Sequence, residues 1–198
     1  MIDNFSECDA FTAPAEGGLS VDPTDPGNWT GGKVNDGQLL GTKYGIACAD
    51  HPGVDIANLT PDAAAAIRKA GYWTPNSCDE FAPGVDLMVY DEDVNTGDGR
   101  SAKILQGCAG VVQDGAIGTV TLTAVAALDP VMLINALAKA QGAFYQSLAP
   151  FAVDGKGWMA RLALRHSTAL TMTRQPQAVV IPPVAPSAGA KLLNLLFG

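Results

Sequence analysis

Two carboxylic acids stand nine positions apart near the start of the chain, Glu16 in Glu16-Gly17-Gly18 and Asp25 in Asp22-Pro23-Thr24-Asp25-Pro26-Gly27-Asn28-Trp29. An acid beside two glycines sits where backbone can approach a ligand closely. The prolines flanking Asp25 pre-set turns, and Gly27 tolerates φ > 0, so the chain is expected to double back and set the two carboxyls across a cleft. Such a pair is the minimum equipment for cleaving a glycosidic bond. One carboxyl, held neutral by an apolar wall, protonates the leaving oxygen; the other stays ionised and orients water or stabilises the developing oxocarbenium. Glu16 is the candidate acid and Asp25 the partner, with Asp22 as alternate. A carboxyl separation of about 5 Å implies retention and one of roughly 6.5 to 9.5 Å inversion. The competing readings are helix-end capping for Glu16 and an Asx-turn for Asp25. Trp29, with polar and glycine-rich neighbours, is the aromatic best placed to stack on a sugar; Tyr44 is a second, while Trp73 and Trp158 read as core.

These acids need elements to hold them. Phe5, Cys8, Phe11 and Thr12 recur at helical spacing, so a short helix leads towards Glu16, with Pro14 ending or kinking it. Residues 17–58, rich in Gly, Pro, Asn and Asp, predict a small irregular lobe with one weak hairpin. Thr60-Pro61-Asp62 combines an N-cap, proline at the first helical position and an acid in the first turn, and opens a helix to about Tyr72-Trp73. Further helices are expected over 85–95, 100–108, 119–128 and 130–148, the last opened by Asp129-Pro130, then a loop over 151–156 and a final helix from Gly157 to about Thr173. Residues 175–187 are a proline-rich strap and 188–198 an apolar tail, which either folds back on the core or docks on a protein or membrane surface.

The order of motifs resembles glycoside hydrolase family 108, the muramidases and "secretion activator" proteins of bacteria and phages. The resemblance rests on Glu16-Gly17-Gly18, Asp22 to Gly27, Thr42-Lys43-Tyr44-Gly45-Ile46, Tyr72-Trp73, Gly84-Val85-Asp86, Tyr90-Asp91 and Val94-Asn95-Thr96-Gly97. It continues through Leu105-Gln106, Asp114 to Gly118 and Gly157-Trp158-Met159-Ala160-Arg161, and spans about residues 5–170. It implies a mainly α, lysozyme-like fold with a small irregular or β lobe on a helical body. Residues 1–99 would be the catalytic region, 100–174 a helical peptidoglycan-binding region packed on it, and 175–198 the linker and tail. It further implies hydrolysis of the β-1,4 bond between N-acetylmuramic acid and N-acetylglucosamine, without metal or other cofactor. Thr42 would stand beside the acid pair, with Asn95 and Asp91 on the wall of the sugar groove. Three departures stand out: Ala13-Pro14-Ala15 before the Glu, an extra segment from Trp29 to Gly41, and Ala47 where the family often carries Thr or Ser.

Composition narrows the partners. A formal net charge of −8 and a pI near 4.5 argue against nucleic acid and against electrostatic attraction to anionic membranes. No stretch is long enough to span a bilayer as a helix, and the acidic start Met1-Ile2-Asp3-Asn4 lacks the marks of a signal peptide. A wall enzyme of this kind is expected to reach the periplasm or cell wall by holin, virion or dedicated export. The cysteines Cys8, Cys48, Cys78 and Cys108 are too widely spaced for a zinc ribbon and read as buried thiols, with one or two disulfides as the alternative. The histidines His51 and His166 have no metal-binding spacing. Two other functions fit the residues less well: a lytic transglycosylase using Glu16 alone, and a non-catalytic wall-binding, export-assisting or virion protein.

Overall fold

The computed structural model describes residues 4–15, 17–97 and 99–174. Glu16, the proline-rich strap and the apolar tail, with the contacts expected of the tail, lie outside the described residues. Within them the chain is mainly helical: α1 (Phe5–Thr12), α2 (Pro61–Arg68), α3 (Val85–Thr96), α4 (Arg100–Cys108), α5 (Thr119–Ala126), α6 (Pro130–Gln146) and α7 (Phe151–Met172). One two-stranded antiparallel sheet, β1 (Thr42–Lys43) with β2 (Ile46–Ala47), lies in the lobe between α1 and α2. This is the lysozyme-like arrangement of helical body and small lobe.

Helix α3 is the axis of the body. Every residue from Val85 to Asp93 is buried, because α1, α4, α6 and α7 all pack on it. Its start demands a glycine. Gly84 has φ +88°, and a Cβ there would stand 2.3 Å from the Ala169 carbonyl oxygen of α7. Helix α1 buries Phe5, Cys8, Asp9 and Thr12, then tightens into a 3₁₀ turn over Ala13–Ala15 at Pro14. Phe5, Trp73 and Tyr90 meet edge to face, with centroids 5.4 to 5.8 Å apart, and join α1 and α3 to the end of α2. There α2 widens into a π-helical turn over Lys69–Trp73, and Trp73 is fully buried as expected.

The capping logic is realised in atoms: Thr60 Oγ1 accepts from Ala63 N–H at 3.2 Å, and Asp129 Oδ1 from Met132 N–H at 2.9 Å. Helix α7 departs from expectation by beginning at Phe151, where a loop to Lys156 was anticipated. Pro150 O accepts from Val153 and Asp154 N–H, and Gly155 is the device that lets the turn pack: a Cβ there would meet the Phe151 ring at 2.5 Å. Gly155, expected in the loop, and Gly157, expected at the helix start, both lie inside the helix. A second, smaller core of Ile46, Cys48, Ile56, Leu59 and Ala64 supports the lobe. All four cysteines are free thiols; Cys8, Cys48 and Cys78 are buried and Cys108 is half-buried. No single described helix is long and apolar enough to cross a membrane.

Candidate active site

The lobe brings the two ends of the candidate site together through backbone pairing. Gly17 takes φ +71°, and its carbonyl accepts from Tyr44 N–H at 3.2 Å. Ser20 and Thr42 exchange both backbone hydrogen bonds, at 2.8 and 2.9 Å. The segment after Glu16 therefore runs along β1, and Thr42 lies directly opposite it. Tyr44 and Gly45, with φ 53° and 76°, form the two-residue turn between β1 and β2; positive φ at both positions is the type I′ geometry that hairpins favour.

Asp25 is exposed on the same lobe, capping the 3₁₀ turn Pro26–Asn28, with Oδ1 accepting from Gly27 N–H at 2.9 Å. The Asx-turn thus occupies one carboxylate oxygen. Asp22 is exposed too, and hydrogen bonds from Thr24 backbone N–H and then its hydroxyl, both 2.8 Å, hold its carboxyl below the ordinary value. Trp29 is half-buried, its indole N–H donating to Pro23 O at 2.9 Å, so its ring is fixed to the loop that carries Asp25. The extra segment from Trp29 to Gly41 is a finger, closed by a Trp29–Leu39 bridge and by Thr30 N–H to Gln38 O at 2.9 Å.

One cation clasps lobe to body. Arg68 forks onto Asp9, Nε to Oδ1 at 2.7 Å and Nη2 to Oδ2 at 2.8 Å, while Nη1 donates to Tyr44 O at 2.8 Å. Tyr90 OH donates to the same Asp9 at 2.6 Å. Burial would raise the Asp9 carboxyl, but the hydrogen bonds from Arg68 and Tyr90 hold it below its ordinary value. Neither Asp9 nor Arg68 stands out in the sequence; a lone acid facing inward beside Cys8 in α1 is the only local sign.

Asp91 does not stand on a groove wall. It is fully buried at the centre of a charge cluster, accepting from Thr12 Oγ1 at 2.9 Å, Arg161 Nη2 at 2.6 Å and Arg165 Nη1 at 2.8 Å. Burial would raise its carboxyl; the Arg161 hydrogen bond and the charges of Arg165 and Arg161 hold it below the ordinary value. Arg165, also fully buried, reaches Glu92 Oε2 at 2.6 Å, Gln141 and Tyr145, and Tyr145 OH donates to Glu92. Asn95, one turn beyond Asp91, is exposed and donates its amide to the Asp91 carbonyl at 2.7 Å and carboxylate at 3.2 Å. Trp158, read as core, is half-buried and borders an open pocket beside Asn95. The sites named from sequence therefore fall into two groups, Asp25, Trp29, Thr42 and Tyr44 on the lobe and Asp91 and Asn95 on α3. Among the described residues no cluster of three His, Cys, Asp or Glu side chains is placed to hold a metal.

A helical body with a small hairpin lobe is the lysozyme-like architecture. Residues 10–97 match the family described as "Glycosyl hydrolase 108" and residues 100–163 the one described as "Predicted Peptidoglycan domain". A solved structure of SagA from Brucella abortus is 31% identical, superposes with a TM-score of 0.74, and is matched over 88% of this chain and 98% of its own. The chain belongs to the glycosyl hydrolase 108 family and carries the peptidoglycan domain behind its catalytic region. No curated protein matches it.

Proposed function

We propose that the chain is an N-acetylmuramidase, cleaving the β-1,4 bond from N-acetylmuramic acid to N-acetylglucosamine in peptidoglycan, with Glu16 as general acid and Asp25 as base or electrostatic partner. Family membership supports a glycoside hydrolase directed at peptidoglycan. The observation that carries the finer reading is the Gly17–Tyr44 and Ser20–Thr42 pairing, which lays the backbone next to Glu16 along the lobe that presents Asp25. In this arrangement Glu16 protonates the bridging oxygen as the bond breaks. Asp25 keeps one carboxylate oxygen on Gly27 and turns the other to water or to the developing positive charge. Thr42 offers a hydroxyl beside them, and Trp29 a fixed aromatic edge for a sugar ring. Peptidoglycan lies outside the cytoplasm, so the protein acts in the periplasm or cell wall.

The test is wall clearing by wild type, Glu16→Gln and Asp25→Asn, with mass spectrometry of the products. Reducing muramic ends from wild type and a loss of at least about 10³-fold in Glu16→Gln, in the range of lost general acid catalysis, fit the proposal. Anhydromuramic ends would replace it with a transglycosylase. Undiminished clearing by Glu16→Gln would remove the acid, and wall binding by wild type with no sugar released would leave a binding protein.

A further inference from the structure

Residues 115–138 form all of α5 and the first half of α6, and Asp129 is the one charged side chain among them, against 16% charged residues in the whole chain. The surface they make is correspondingly apolar: Leu128, Val131 and Met132 are exposed, Met132 by 73%. Beside them opens a small cavity of about 70 Å³, lined by the apolar side chains of Ala82, Val85, Val125, Leu128 and Leu133 and by the exposed Glu80. That is about half the volume of a 150 Å³ cavity that takes up a benzene ring, which leaves room for one aliphatic side chain. An exposed apolar face of this kind marks a contact site.

The described chain ends at this same end of the body. A Cβ on Gly84 would stand 2.3 Å from the Ala169 carbonyl oxygen near the end of α7 and 3.0 Å from Ile134 Cδ1 of α6. Val85 and Leu133, the sequence neighbours of Gly84 and Ile134, line the cavity, and Met172 shares their buried core. From Arg174 onward, residues 175–187 reach as far as about 40 Å when extended, well beyond the roughly 12 Å length of a helix the size of α5. A segment on so short a tether meets the face at an effective concentration on the order of millimolar.

Charge selects the occupant. Residues 175–198 hold one charged side chain, Lys191, followed at once by Leu192 and Leu193 and then by Leu195, Leu196 and Phe197. The face is its complement: apolar, with carboxylates at Glu80 and at Asp129, which stands between the lining residues Leu128 and Pro130. An anionic lipid surface would meet both carboxylates and a net charge of −8, and be repelled. A second copy on a two-fold axis would set these acids against their own images.

We propose that residues 191–197 of this chain dock on this face, one leucine filling the cavity and Lys191 meeting the carboxylates of Glu80 and Asp129. The body is thereby closed by its own C-terminal segment, independently of the bond the enzyme cleaves.

An equal mixture of ¹⁴N- and ¹⁵N-labelled full chain is treated with a water-soluble carbodiimide, which couples an amine to a carboxylate without a spacer, and the joined peptides are mapped by mass spectrometry. Lys191 should couple to Glu80 or Asp129 within one chain. Replacing the four leucines together (Leu192→Ser, Leu193→Ser, Leu195→Ser, Leu196→Ser) should lower that coupling and quicken amide exchange over α5, each about tenfold, while the middle of α7 exchanges as in wild type. The four changes lie outside the described fold, and the wild-type coupling is a test without them. Coupling found only between the two isotopic species would put a second copy on the face and overturn the proposal. Lys191 coupled to carboxylates elsewhere, with α5 exchange the same in wild type and variant, would overturn it too. So would flotation of wild type, but not of the variant, with phosphatidylcholine vesicles while α5 exchange is equal in both, because the segment would then serve a membrane.

Discussion

Thr12 Oγ1 donates to Asp91 Oδ1 across 2.9 Å, and both residues are completely buried. This bond joins the last residue of α1, four positions before Glu16, to the carboxylate that also holds Arg161 and Arg165 of α7. The end of α1 is thereby registered against α3 and α7. Thr12→Val keeps the shape and removes the donor, leaving Asp91 one bond short. A loss of about 1 to 3 kcal/mol is expected in urea unfolding, together with a fall in turnover on wall suspensions that exceeds any change in KM, while Thr12→Ser restores both.

The cluster around Asp91 separates a structural charge from a peripheral one. Asp91→Ala leaves Arg165 buried with only Glu92 to balance it and should cost about 3 to 5 kcal/mol. Arg161→Ala removes a cation whose side chain is still 23% exposed, and Arg165 continues to neutralise Asp91, so a smaller loss of about 1 to 2 kcal/mol is expected. Denaturant midpoints of the two variants test the order; an Arg161 variant as damaged as the Asp91 one would contradict it.

What the sequence made legible was local. Thr60-Pro61 and Asp129-Pro130 announced their helices because cap and first-turn chemistry act within three residues. The helical body and a weak hairpin in the Gly-rich lobe followed from composition and period. Asp91 was misread because its partners Arg161 and Arg165 lie 70 and 74 positions away, and nothing within a helical turn distinguishes a buried carboxylate from a solvated one. Asp9 and Arg68, separated by 59 positions, escaped for the same reason. The turn of the hairpin was hidden by Tyr44, a residue rarely found at positive φ, and the early start of α7 by Gly155, a glycine that serves packing.

Tyr44 holds its unfavourable backbone angle where its carbonyl is tied to Arg68, which in turn forks onto Asp9. A lysine at position 68 keeps the charge and loses the planar fork. Arg68→Lys should therefore loosen the lobe first. Amide hydrogen exchange at Thr42 and Tyr44 is expected to quicken about tenfold or more while the amides of α6 and α7 stay as protected as in wild type. Equal acceleration throughout would mean that Arg68 supports the whole fold and not the lobe in particular.

Asp86 gives stability an acid-side optimum. It is buried at the start of α3, where its carboxyl accepts from Gly84 and Leu87 N–H, both at 2.7 Å, and from Asn4 at 2.9 Å. Burial nevertheless pushes its pKa up to about 6, against the lowering effect of those bonds. The folded state thus binds a proton that the unfolded state, with an ordinary Asp near 3.9, has already released. Between about pH 4 and 6 this group makes stability fall as pH rises, by an amount on the order of 3 kcal/mol over the window. Asp9 and Asp91 act oppositely: their pKa values are depressed, so their contribution is complete above about pH 4 and is lost as the pH falls below it. The unfolding free energy should therefore peak near pH 4 to 5 and decline towards neutrality. Asp86→Asn, which cannot titrate, should flatten the decline between pH 4 and 6 and leave the acid limb in place, a difference that urea melts at half-unit pH steps would resolve.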